Sequence, residues 1–178
     1  MLIDRMIKAA MLDPGVYDEL ERDTTATSQA FLVVLVISLI SGLGGAIGSI
    51  GRPGQALTLL IGAVVGAIIG WLIWSFVTYF IGTSVFRGIA TPGELLRTIG
   101  FAYTPNILGF FIFIPIIGGL IAFAGSVWSL IAGVIAVRQA MDFDTGKAII
   151  TVIIGWIILF VVTVLFSAFM AGLFFLIR

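Results

Sequence analysis

The chain has 178 residues, 61% of them hydrophobic and 10% charged, with 22 glycines, no cysteine, no histidine and a formal net charge of zero. A soluble domain carries roughly 25% charged residues, so this chain lacks the polar surface to cover a water-facing core, and its balanced charge excludes a nucleic-acid binder built on a basic face. Without Cys or His there is no thiolate chemistry, no thiolate zinc site and no histidine base, so the expectation is no enzyme, no cofactor and no metal.

Residues 1–29 carry charges of both signs and read as a cytosolic amphipathic segment ahead of a transmembrane domain, 30–178. Leu2, Ile3, Met6, Ile7, Ala10 and Met11 recur at helical spacing opposite Asp4, Arg5 and Lys8. That pattern predicts a short helix on the bilayer surface. Asp13-Pro14 is a cap followed by proline at the first helical position, which starts a second short helix. Its Asp18, Glu19, Glu21 and Asp23 form a solvated acidic face, with a cation site as the alternative.

The hydrocarbon core is about 30 Å thick and needs about 20 apolar residues of helix. Residues 30–51 are uncharged and give the first span, closed by a turn at Arg52-Pro53-Gly54-Gln55. Residues 56–86 are again uncharged. They make roughly 46 Å of helix, so this second span tilts or its last turns past Gly82 leave the hydrocarbon. In it Gly62, Gly66 and Gly70 recur at a four-residue interval, as Gly44 and Gly48 do in the first span. Such stripes let helices approach closely; packing within the chain is expected, with a homodimer seam as the alternative. Ser167 and Ala171 make a similar pair near the end.

Thr91-Pro92-Gly93-Glu94 matches a capping box, so a helix starts at Pro92, with Leu95, Leu96 and Ile99 apolar and Glu94 and Arg97 polar. It is a connector that sets the angle of the third span, or an inner-face docking helix for a partner. From Thr98 to Val137 no residue is charged. The stretch is too long for one span, and Pro115, Gly118 and Gly119 break it into a hairpin of short helices over 99–116 and 120–137. Asn106, after Pro105, is expected to bond a neighbouring helix or a freed carbonyl. Tyr103 fits an interfacial anchor; Trp71, Trp74 and Trp156 fall nearer mid-span and read as packing residues. Asp142-Phe143-Asp144-Thr145-Gly146 resembles part of a calcium loop but lacks the downstream acid, so Asp144 or Thr145 should cap the last helix. That helix runs from Lys147 to 177, before Arg178.

The result is an all-α integral membrane bundle of five spans, the third and fourth a short hairpin. With the N-terminus inside, Arg5, Lys8, Arg22, Arg87, Arg97, Arg138 and Lys147 lie inside, and Arg52 and Arg178 outside. This obeys the positive-inside bias and puts the N-terminus in the cytoplasm and the C-terminus outside. Barrel strands would alternate apolar and polar residues, and these runs do not. No span holds an interior ionisable side chain, which argues against a coupled ion pump.

Four segments in order resemble the Yip family (Ypt/Rab-interacting proteins, the Yip-one domain), in its compact prokaryotic form. They are Leu12-Asp13-Pro14-Gly15-Val16-Tyr17-Asp18-Glu19-Leu20; Phe101-Ala102-Tyr103-Thr104-Pro105; Val127-Trp128-Ser129-Leu130 with Ala136-Val137-Arg138-Gln139-Ala140; and Thr145-Gly146-Lys147-Ala148. The resemblance implies five spans, a cytosolic N-terminus, a prokaryotic cytoplasmic membrane and no catalysis. Eukaryotic relatives are associated with Rab-type GTPases, vesicle traffic and membrane shaping. Their Asp-Leu-Tyr-Gly-Pro motif has only Asp13-Pro14 and Tyr17 as a faint counterpart here, which leaves a GTPase partner without a sequence basis. The expected partners are the lipid bilayer and a second copy or another membrane protein. The expected function is a membrane scaffold or adaptor, with a small transporter or lipid scramblase as the alternative.

Overall fold

Local signals decide where each helix begins. The computed structural model describes the backbone of residues 1–52 and 54–176, and their side chains apart from 159, 163 and 166–176. Pro53, Arg178 and the Ser167/Ala171 side chains therefore lie outside the described residues. Helix α1 is Leu2–Ala10 and α2 is Pro14–Arg22. The Asp13 carboxylate accepts the Gly15 amide at 2.9 Å, with Pro14 at the first position. Helix α5, Pro92–Ala102, starts on a complete capping box: Thr91 Oγ1 accepts from the Glu94 amide, and Glu94 Oε2 accepts from the Thr91 amide. The remaining helices are α3 (Ala26–Gly48), α4 (Gln55–Ser84), α6 (Ile117–Ala140) and α7 (Thr145–Leu176). The Asp144 carboxylate accepts the Lys147 amide at the start of α7.

All regular structure among the described residues is helical. By length and composition α3, α4, α6 and α7 qualify as membrane spans, and a fifth crossing exists if the bent pair of α5 and the following segment is one span.

That segment corrects the expected hairpin. The third span is not one α-helix over 99–116. Helix α5 stops at Ala102, bends by 42°, and continues as a 3-10 helix, Thr104–Phe113. Pro105 is the cause: it has no amide hydrogen and disfavours an α conformation at Thr104. A 3-10 helix rises about 2.0 Å per residue against 1.5 Å for α, so this run reaches further per residue than an α-helix of the same length. Ten residues of 3-10 helix is well beyond the usual three or four. The reversal comes at Pro115-Ile116, as expected, but α6 starts at Ile117 and runs on to Ala140.

The N-terminal segment is built into the bundle. Ala9, Val16, Tyr17 and Leu20 share one buried core with Leu95, Ile99 and Phe101 of α5 and with Ala132, Ala136 and Val137 of α6. Three polar clamps hold it. Trp128 Nε1 of α6 donates to the Ala10 carbonyl at 2.7 Å. Gln139 Nε2 donates to Asp18 at 2.7 Å. Arg97, only 6% exposed, donates to the carbonyls of Leu20 and Glu21 at the end of α2. The loops after α4 and α6 lie at the same end, where Phe143 packs against Gly88. The residues counted above as inside, Arg5 to Lys147, therefore cluster at one pole, and the α3–α4 turn with Arg52 lies at the other.

Candidate functional site: a lateral cleft at the broken helix

Breaking a helix at membrane depth frees backbone carbonyls, and each needs a donor because lipid supplies none. Ser129 Oγ of α6 donates to the Ala102 carbonyl at 2.8 Å. Thr104 Oγ1 takes the Phe101 carbonyl at 2.7 Å. Asn106 Nδ2 takes the Tyr103 carbonyl at 3.2 Å, and Ser41 Oγ of α3 takes that of Asn106 at 2.8 Å. The Tyr103 carbonyl also accepts the Asn106 backbone amide at 3.0 Å, so the Asn106 side chain adds a second donor to a bonded carbonyl and, among the described residues, reaches no neighbouring helix.

Beside this break lies a cleft of about 330 Å³. Gly66, Ala67, Gly70, Trp71 and Trp74 of α4 form one wall. Ile99, Tyr103 and Asn106 form the second, at the bend, and Ser126, Ser129 and Leu130 of α6 with Trp156 of α7 close it. Trp71 is fixed by donating to the Leu96 carbonyl at 3.0 Å. Trp156 is half exposed and stacks on Phe160. Trp74 packs edge-on into the gaps above Gly133 and Gly155, and its Nε1 is buried with no partner among the described residues. The hydroxyls of Ser75, Thr78 and Thr151 below it are likewise buried and unpartnered.

The glycines divide into two kinds. A Cβ on Gly44 would overlap the Phe110 carbonyl of the 3-10 helix, and one on Gly48 would touch Phe113. These two pack within the chain. Around Gly62, Gly66 and Gly70 no atom lies within 4 Å of the Cβ position. Contrary to the expectation of packing inside the chain, this stripe faces open space, and its lower half floors the cleft.

Thr91, Pro92 and Glu94 build the cap of α5, but Arg97 is buried beneath the chain's own α2. Of the acids on α2 and at its C-cap, Glu19 and Asp23 bind Arg5 at 2.6 and 2.8 Å, and Asp18 accepts from Gln139. No group of potential metal ligands forms among the described residues. Tyr17 is buried, its hydroxyl donating to the Ala9 carbonyl at 3.0 Å, and burial raises its pKa. Lys147 pairs with Asp144 at 3.7 Å. Sequence reasoning missed the Trp128 clamp and the cleft itself. Trp71, Trp74 and Trp156 at one level were the available signal.

The family model described as Yip1 domain matches residues 8–166. No curated protein and no solved structure matches the chain.

Proposed function

The chain belongs to the Yip1 domain family, and on that premise we propose that it is a non-enzymatic membrane scaffold or adaptor, anchored by five spans with its N-terminal helices at the cytoplasmic face. One observation carries this reading. Helix α1 is clamped at its C-terminal end beside α6 through Trp128 and joined to α2 and α3 through Arg5. Yet its outward face leaves Ile3 and Met11 70% and 74% exposed, with Ile7 exposed between them. An apolar ridge on a helix whose other face carries Asp4, Arg5 and Lys8 belongs in the headgroup–acyl boundary. It widens the molecule in one leaflet only, since α1, α2 and α5 all pack at the charged pole. The cluster of Arg and Lys there supports the cytoplasmic assignment.

Curvature sorting tests the reading. Reconstituted into vesicles of mixed diameter, the full chain should be denser in the most curved ones, and Ile3→Ser with Ile7→Ser should abolish the enrichment. Equal density in all sizes for the unaltered chain contradicts a shaping role.

A second reading, a small lipid scramblase, is supported by the lateral cleft at a broken span. Purified protein in liposomes should then speed phospholipid flip-flop above empty vesicles; rates equal to those controls reject it.

A further inference from the structure

We propose that the interface of α4 and α7 binds an ordered water inside the membrane, held by the Trp74 indole N–H and the Thr78 hydroxyl, with the Thr151 and Ser75 hydroxyls extending the same polar seam. The inference rests on neither functional reading, because a bound water requires neither curvature sorting nor transport.

Four buried polar atoms carry it. Ser75, Thr78 and Thr151 are at most 1% exposed, and neither their hydroxyls nor Trp74 Nε1 has a hydrogen-bond partner among the described residues. Elsewhere in the bundle a helical hydroxyl donates to a carbonyl three or four residues back: Ser38 to Leu35, Thr83 to Tyr79, Thr98 to Glu94 and Ser126 to Phe123. Ser75, Thr78 and Thr151 forgo that bond. Lipid offers no donor or acceptor in its place, and each buried polar group left unbonded costs free energy.

The groups converge at one glycine. Trp74 Nε1 and Thr78 Oγ1, one turn apart on α4, each lie 3.3 Å from the Cβ position of Gly155 on α7. They are not bonded to each other, and their separation is at most twice that distance. One water can bridge such a gap with hydrogen bonds of about 2.9 Å. It accepts from the indole and donates to the Thr78 oxygen. A buried water keeps about three bonds, which leaves a second proton for the seam. Thr151 lies one turn before Gly155 on the same face of α7, and Ser75 one turn before Thr78 on α4. The chemistry selects water. An indole N–H cannot ligate a cation, and none of the four groups is charged, so an anion would be buried unpaired. Thr78 is about 9 Å along α4 from Ser84, at the charged pole, so bulk water is near. The bound water fixes Trp74 from behind, and Trp74 is part of the wall of the lateral cleft.

Two measurements on the full chain test this. In lipid bilayers, solid-state NMR that starts from water magnetisation should reach the Trp74 indole proton at short mixing time, the signal being assigned by its loss in Trp74→Phe. Thr78→Val keeps the shape of the side chain and removes the hydroxyl. With a water bonded there, the variant in detergent should melt lower by about 2–4 °C. Replacing a buried hydroxyl that bonds nothing by a methyl group has the opposite sign. A Trp74 indole proton that receives nothing from water overturns the proposal. So does a Thr78→Val variant that melts at or above the temperature of the unaltered chain.

Discussion

At the scale of single residues, what surrounds a glycine decides its role. Gly44 and Gly62 look alike in sequence, each within an uncharged run and each repeated four residues on. Only Gly44 meets backbone, the Phe110 carbonyl. Gly44→Ala should therefore lower stability in detergent by about 2 kcal/mol, as overpacking does. Gly62→Ala should leave it unchanged or raise it by up to about 1 kcal/mol through helix propensity. Thermal melts of the two variants check this. Two carboxylates of the N-terminal cap titrate in opposite senses. The hydroxyl of Thr25 and then Arg5 hold Asp23 below its usual range, whereas desolvation and then Asp18 push Glu21 up. The Asp23 contribution to stability is present above the ordinary aspartate value and is lost as pH falls through its depressed one. Glu21 acts in reverse: its charged form opposes burial, so stability is lost as pH rises through its raised value. Glu21→Gln should slow amide exchange in α2 relative to the unaltered chain at pH 7. The gain should shrink near pH 4.

At the scale of elements, α2 is held by one side chain more than by any other. Arg97 gives two charge-assisted hydrogen bonds to the last carbonyls of α2, where a cation is favoured by the helix dipole. Arg97→Met keeps the stem and removes both bonds. It should cost α2 about 3 kcal/mol of protection against exchange, while α6 and α7 keep theirs; unchanged protection in α2 would show that apolar packing alone docks the cap. The caps of α2 and α5 were legible in sequence because Asp13-Pro14 and Thr91-Pro92-Gly93-Glu94 act over three residues. The partner of Arg97 was not, because nothing local in the chain says that Leu20 and Glu21 will lie against it. Pro105 was visible as well, but the long uncharged run hid its consequence: apolar composition sets where lipid is, and it does not choose between α and 3-10 backbone. The unpartnered glycines illustrate the same limit, since a stripe predicts close packing without saying whether the chain itself provides the neighbour.

At the scale of the whole molecule, composition fixed the solvent and charge spacing fixed the poles. The lengths of the uncharged runs anticipated α3, α4, α6 and α7 to within a few residues at most ends. The cleft was beyond reach, because it is assembled from α4, the α5 break, α6 and α7, which meet only in three dimensions. The five-span reading requires the bent pair, α5 with the 3-10 helix, to carry the chain across the bilayer as a single crossing. The absence of native cysteine makes this directly measurable. Single cysteines replacing Gln55, Ile116 and Thr145 in the full chain, in sealed oriented vesicles, should react with a membrane-impermeant thiol reagent in a fixed pattern: positions 55 and 116 from one side, 145 from the other. Labelling of 116 together with 145 would contradict the crossing.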